Sequence, residues 1–126
     1  MQRAAAKAWA RWEGSTLRLV PDLEMIDKFE NEIAVSLARI ECHYFMNKAF
    51  FKTDNWLIEN VDKVRHIPGI IIHGRYDIVC PVENAWELHK AWPESKLEII
   101  PDAGHAAGEA GIVDALVRAT DAFRDL

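Results

Sequence analysis

The sequence lacks several features that mark whole classes of protein. Its two cysteines, Cys42 and Cys80, are too few for a disulfide framework or a zinc knuckle, so we expect no metal site. No apolar run approaches the roughly 20 residues that span a bilayer, and the first residues lack the apolar stretch of a secretory signal. The formal charge of −5 argues against binding to nucleic acid or to an anionic membrane. We therefore expect a cytoplasmic globular protein.

Glycine and proline are scarce in the first half of the chain. Residues 1–66 contain one of each, Gly14 and Pro21. Since these two residue types interrupt helices most strongly, their scarcity favours helices. We predict four of them, at about 2–13, 22–30, 31–47 and 54–66.

Residues 67–126 show a different pattern. Ile70, Ile71 and Ile72 form a short β-branched run between two glycines, which is typical of a buried strand. The predicted order is strand, helix, strand and helix, at about 70–73, 81–92, 97–100 and 111–126. This alternation predicts parallel strands. Because parallel sheets usually have several strands, we interpret the chain as the C-terminal part of a larger α/β protein.

Two polar residues follow the predicted strands. Asp77 comes after the first strand and His105 after the second. The carboxyl ends of parallel strands meet at one edge of a sheet, so we expect these side chains to lie close together. A carboxylate bonded to an imidazole fixes its tautomer and stabilises the imidazolium that forms when the ring accepts a proton. Their order matches the Ser…Asp…His order of α/β-hydrolases, so we predict Asp77 as acid and His105 as general base.

No residue is placed as the nucleophile of such a triad. Of the three serines, Ser15, Ser36 and Ser95, none lies in a Gly-x-Ser-x-Gly elbow and none follows a predicted strand. The sequence also has no His-Gly-Gly stretch that would form an oxyanion loop. Acyl transfer needs nucleophile, base and oxyanion donors around one reacting centre. We therefore expect the chain to be inactive alone.

Several motifs resemble those of proline iminopeptidases, also called prolyl aminopeptidases. Three of them surround the predicted acid and base: HGRYDIVCP at 73–81, AWELHKAWP at 85–93 and PDAGH at 101–105. Two upstream segments, AWARWEG at 8–14 and IECHYF at 40–45, are similar to parts of the helical cap domain of that family. The resemblance covers essentially the whole chain and corresponds to the C-terminal part of a family member.

The resemblance implies an α/β-hydrolase fold. Residues 67–126 would be the C-terminal portion of its core, with the last two parallel strands, and residues 1–66 would be a portion of its cap. It also implies a serine peptidase that needs no cofactor and releases proline from the amino terminus of a peptide. Glu13 and Glu41 match cap glutamates that bind the free α-amino group, and Cys80 lies near the proline pocket. The expected partners are the peptide and the missing N-terminal segment of the same enzyme.

Two other interpretations remain open. One is a fragment of a different α/β-hydrolase, such as an esterase or an epoxide hydrolase, that shares only the Asp and the His. The other is a degenerate product without a catalytic role. Glu13 and Glu41 discriminate among them, because paired carboxylates suit the recognition of a cationic amine through charge-assisted hydrogen bonds.

Overall fold

A computed structural model describes residues 2–124 as a set of helices followed by a small parallel sheet with its own helices. The helices are α1 (Gln2–Thr16), α2 (Leu23–Lys28), α3 (Ala34–Met46), α4 (Trp56–Glu59), α5 (Val82–Ala91) and α6 (Ala110–Ala122). The strands are β1 (Ile70–Gly74) and β2 (Lys96–Ile100). A π-helical turn, Phe29–Ile33, joins α2 to α3, and 3₁₀ turns lie at Lys48–Phe50 and Val61–Lys63.

Three of the four predicted N-terminal helices are confirmed. The first is longer than predicted and continues to Thr16. The second begins after Asp22, whose Oδ1 accepts a hydrogen bond of 3.1 Å from the N–H of Met25 and so caps the helix. The second and third helices follow each other without a loop, because the π-helical turn connects them.

The fourth predicted helix, over residues 54–66, is wrong. Only Trp56–Glu59 is α-helical. Asn60 ends the helix, and its side-chain amide donates a 2.7 Å hydrogen bond to the carbonyl of Trp56. Asparagine competes for helix carbonyls in this way, which explains why a stretch without glycine or proline still breaks.

The two predicted strands pair in parallel, as expected. The register runs from Ile70 opposite Lys96 to Gly74 opposite Ile100. Helix α6 covers one side of this sheet, where Ile72 packs on a buried cluster of Ile100, Ala103, Ile112 and Ala115. The last predicted helix forms over Ala110–Ala122, and residues 125 and 126 of that prediction lie outside the described residues.

A second buried cluster lies between the N-terminal helices. Ala6 and Ala10 of α1 face Ala34 of α3, and Phe29 and Leu37 pack around them. Because alanine side chains are small, the two helices can approach closely. The close packing of α1 on α3 also brings together polar side chains that lie further along the two facing helix surfaces.

The architecture agrees with the C-terminal part of an α/β-hydrolase preceded by helices. The division into residues 1–66 and 67–126 stays a prediction. Within the part of the chain that the structure describes, no helix combines the length and apolar character needed to cross a membrane.

Candidate active site

Asp77 and His105 lie at the same edge of the sheet, in the loops after β1 and β2. Backbone hydrogen bonds join these loops, from the N–H of Arg75 to the carbonyl of Ile100 (2.9 Å) and from the N–H of Tyr76 to the carbonyl of Ala103 (3.0 Å). Nδ1 of His105 lies 2.9 Å from Oδ2 of Asp77. The expected proximity is therefore observed, whereas the catalytic roles stay predictions.

The carboxylate of Asp77 is buried and held from two sides. Its Oδ1 accepts hydrogen bonds from the N–H groups of Val79 (3.0 Å) and Cys80 (2.8 Å), which form a tight turn around it. Its Oδ2 is left for His105. Since an ionised carboxylate only accepts, the neutral imidazole of His105 carries its proton on Nδ1, and Nε2 has a free lone pair. That tautomer is the one a general base requires.

A second histidine supports the same turn. Nε2 of His73 lies 2.9 Å from the carbonyl oxygen of Cys80 and 3.4 Å from Oδ2 of Asp77. Both neighbours are acceptors, so Nε2 of His73 carries a hydrogen and donates it. Sequence reasoning missed His73, although its place near the end of β1, four residues before Asp77, could have identified it.

Glu13 and Glu41 are brought together by the packing of α1 on α3. Glu13 follows the buried Ala10 by three residues and Glu41 follows the buried Ala34 by seven, spacings that keep each pair on one helix face. Burial, the charge of Glu41 and a hydrogen bond between the two carboxyl groups raise the pKa of Glu13, and the charge of His105 lowers it. Glu13 lies near the loop of His105, because the N–H of His105 donates a 2.9 Å hydrogen bond to the carbonyl of Leu17, four residues after Glu13.

Trp9 holds one member of this pair. Its indole Nε1–H donates a short hydrogen bond to Oε2 of Glu41. The Trp9 ring also lies 5.5 Å from that of Trp12 and 6.4 Å from that of Phe45, measured between centroids. Sequence reasoning missed Trp9, although it precedes Glu13 by one helical turn and so shares its face.

The acidic pair has a consequence for stability. Because the folded state raises the pKa of Glu13, it binds a proton more tightly than the unfolded state does, and stability falls as pH rises through the folded-state pKa. We expect Glu13→Gln to raise the melting temperature at pH 7.5 and to change it less at pH 4. Thermal melts at pH 7.5 and pH 4 measure the change in melting temperature. A Glu13→Gln variant that is less stable than the parent at pH 7.5 would contradict the expected destabilisation by the ionised carboxylate of Glu13.

Cys80 lies in the turn that binds Asp77. Partial burial, followed by the charges of Asp77 and Glu13, raises the pKa of its thiol. The thiol therefore stays protonated at neutral pH and is a poor nucleophile. Cys80 nevertheless remains exposed, and its expected place near the proline pocket stays a prediction.

The serine hydroxyls donate hydrogen bonds to backbone carbonyls three or four residues earlier in the chain. The hydroxyls of Ser15 and Ser36 donate to the helix carbonyls of Arg11 (2.7 Å) and Ile33 (2.8 Å). Among residues 2–124, no serine hydroxyl is hydrogen-bonded to His105.

Ser95 does contact a histidine, but the direction of the hydrogen bond does not suit catalysis. Its Oγ donates its only proton to the carbonyl of Trp92 (2.7 Å). Nδ1 of His89, 3.0 Å away, must therefore donate to Ser95. A base that activates a nucleophile accepts the hydroxyl proton instead.

The described residues also contain no group of three or more His, Cys, Asp or Glu side chains arranged to hold a metal ion.

Comparison with curated proteins gives extensive similarity to one group. The chain is 55% identical to "Probable proline iminopeptidase" of Leptolyngbya boryana over 124 residues, which are 98% of this chain and 39% of the relative. It is 52% identical to "Proline iminopeptidase" of Xylella fastidiosa (strain 9a5c) over 121 residues, 95% of this chain and 39% of the relative. No protein-family model matches.

A plant relative extends the comparison. "Proline iminopeptidase" of Arabidopsis thaliana is 51% identical over 127 residues, which cover all of this chain and 33% of the relative. The chain thus spans well under half the length of these relatives, in agreement with the C-terminal part of the fold. Over nearly its whole length, the chain is similar to members of the proline iminopeptidase family.

Proposed function

We propose that this chain carries the acid, the base and the amine-binding carboxylates of a proline iminopeptidase, and that the nucleophile lies outside it. The observation that supports this most is the 2.9 Å hydrogen bond that joins Asp77 and His105 at the edge of the sheet. The charge of His105 also lowers the pKa of Glu13, which links this pair electrostatically to the acidic pair. An acid–base pair beside a pair of carboxylates suits a substrate with a cationic end close to the bond that breaks.

The substrate would be a peptide with proline at its amino terminus. Its secondary amine is cationic at neutral pH, and Glu13 and Glu41 would accept its two N–H hydrogens in charge-assisted hydrogen bonds. Trp9 keeps Glu41 in place for this contact. A blocked amine would lose both hydrogen bonds and leave the carboxylates facing an uncharged group, which accounts for release of terminal residues only.

The proposed chemistry is acyl transfer in two steps. A serine hydroxyl oxygen attacks the prolyl carbonyl while Nε2 of His105 takes its proton, and the tetrahedral adduct collapses as the same proton passes to the departing peptide nitrogen. Water then attacks the acyl ester, His105 takes a proton from it and returns that proton to the serine oxygen, and proline leaves. Asp77 stabilises the imidazolium in both steps. The hydroxyls of Ser15, Ser36 and Ser95 donate to backbone carbonyls and not to His105, which supports the proposal that the chain is inactive alone.

The test is reconstitution from two pieces. This chain would be co-expressed with the part of the Leptolyngbya boryana relative outside the matched segment, and release of a chromophore from a prolyl anilide would be followed. We expect no hydrolysis by either piece and hydrolysis by the pair. His105→Ala should abolish the activity of the pair. Activity that survives His105→Ala, or a fully active lone chain, would refute the proposal.

Amine recognition can be tested in the same reconstituted pair. We expect Glu41→Gln to lower kcat/KM for the prolyl anilide by about 10- to 100-fold, because it removes a hydrogen bond between charged groups worth about 1.5–3 kcal/mol. Glu32→Gln, an exposed change on the segment before α3, serves as the control and should have little effect. An unchanged kcat/KM in Glu41→Gln and in Glu13→Gln would favour the esterase or epoxide hydrolase interpretation.

A further inference from the structure

The side chain of Glu109 connects two segments of the chain and has no role in the proposed chemistry. Glu109 lies directly before α6, and its carboxylate returns to the beginning of the loop that carries His105. Oε1 accepts a 2.7 Å hydrogen bond from the N–H of Gly104, the residue before His105. Oε2 accepts a 3.2 Å hydrogen bond from the N–H of Leu19, in the segment after α1. One carboxylate thus binds backbone from both halves of the chain.

The same two segments meet at a second point. The N–H groups of His105 and Ala106 both donate to the carbonyl of Leu17, at 2.9 Å and 2.8 Å. A side chain at Gly104 would have its Cβ 3.0 Å from the backbone nitrogen of Leu19, so the approach depends on glycine. The loop of residues 104–109 is therefore fixed on residues 17–19 by backbone contacts that the Glu109 carboxylate completes.

We infer that Glu109 is a positioning residue that holds His105 in its contact with Asp77 and next to the end of α1. Gly104 precedes His105 directly, and Leu19 follows the helix that carries Glu13, so the carboxylate links the backbone of the base to the helix of the amine-binding group. A loose loop would let the imidazole leave the 2.9 Å contact with Asp77. This inference rests on the proposed function only for the role of His105 as base, because the contacts themselves do not depend on it.

The experiment reads the position of the imidazole directly. The full chain is labelled with ¹⁵N-histidine, and the exchange of ring N–H protons with water is measured by NMR. The Nδ1–H of His105 bonds to Asp77, and the Nδ1–H of His89 bonds to Ser95 and serves as an internal reference. Glu109→Ala should accelerate exchange at His105 about tenfold or more and leave His89 unchanged.

Two further variants complete the design. Glu109→Gln should have a smaller effect, because its amide oxygen can still accept from Gly104 while its NH₂ cannot accept from Leu19. Glu83→Gln is the matched control, since it removes the same charge near the start of α5 and should change neither histidine.

The possible results distinguish a wrong inference from a loss of folding and from a wrong proposed function. Exchange at His105 that stays at the parental rate in Glu109→Ala, with the His89 signal retained, would overturn the inference. If Glu109→Ala loses both signals through unfolding, the decision passes to Glu109→Gln, and equal His105 exchange in Glu109→Gln and Glu83→Gln overturns it. Failure of the two-piece reconstitution would count against the proposed function and leave the NMR result standing.

Discussion

Asp77→Asn is expected to lower kcat of the reconstituted enzyme by about four orders of magnitude, the size of the loss seen when a triad Asp becomes Asn in serine proteases. The structure explains why the change would be so large here. The two backbone N–H groups of Val79 and Cys80 bind one oxygen of the Asp77 carboxylate and would retain the amide oxygen of asparagine in that place. The amide NH₂ would then face Nδ1 of His105, where Asp77 now accepts.

Because Asp77→Asn places a donor where an acceptor stood, the imidazole of His105 must change its tautomer. An imidazole facing an NH₂ donor keeps a lone pair on Nδ1 and carries its proton on Nε2. Its Nε2 then has no lone pair with which to take the hydroxyl proton, although the loops keep their shape. We expect KM for the prolyl anilide to change much less than kcat, because Asp77 does not contact the substrate in the proposed complex.

The control for this variant removes the same charge nearby. Asp102 is exposed in the loop after β2, so Asp102→Asn should retain activity within about a few-fold, as surface substitutions usually do. ¹⁵N-histidine NMR adds a second measurement, in which the ring proton of His105 moves from Nδ1 to Nε2 in Asp77→Asn only. Activity above about a tenth of the parent in Asp77→Asn would show that Asp77 is not the acid.

The sequence was sufficient to predict the sheet and the loops at its edge. Ile70 to Ile72 could be identified as a strand because a short β-branched run between glycines has few alternatives, and the position of Asp77 and His105 followed from strand order. The break at Asn60 could not be predicted in this way, because it depends on one side chain choosing a helix carbonyl. Local competition of this kind leaves no periodic signal.

In the candidate site too, the sequence predicts residues that belong to motifs or follow strands, but not contacts made with backbone groups. Asp77, His105, Glu13 and Glu41 were predicted from strand ends and family motifs, and their roles stay predictions. Glu109 was not, because its partners Gly104 and Leu19 are backbone groups, and one of them lies 90 residues away. A backbone N–H has no residue type, so no sequence pattern marks it. Trp9 lies one helical turn before Glu13 and His73 lies four residues before Asp77, so helix and strand spacing could have identified both.

Gly74→Ala is expected to be the most destabilising single change at the site. A Cβ at this position would lie 1.9 Å from the carbonyl oxygen of Gly104 and 2.7 Å from that of Ala103. Both are backbone atoms, so no flexible side chain can move aside. The loops after β1 and β2 would have to separate, and the hydrogen bond from Tyr76 to Ala103 would be lost with the contact of Asp77 and His105.

The expected cost is about 3 kcal/mol or more, at the upper end of what overpacking produces, and corresponds to a fall in melting temperature on the order of 10 °C. Gly108→Ala is the matched control in the His105 loop. Its Cβ would have its nearest neighbour, Nη2 of Arg18, at 3.5 Å, which is ordinary contact. That variant should melt within a few degrees of the parent and can gain slightly, because alanine restricts the unfolded chain. Equal melting temperatures for the two variants would mean that the strand ends are not packed closely enough to hold the acid and the base together.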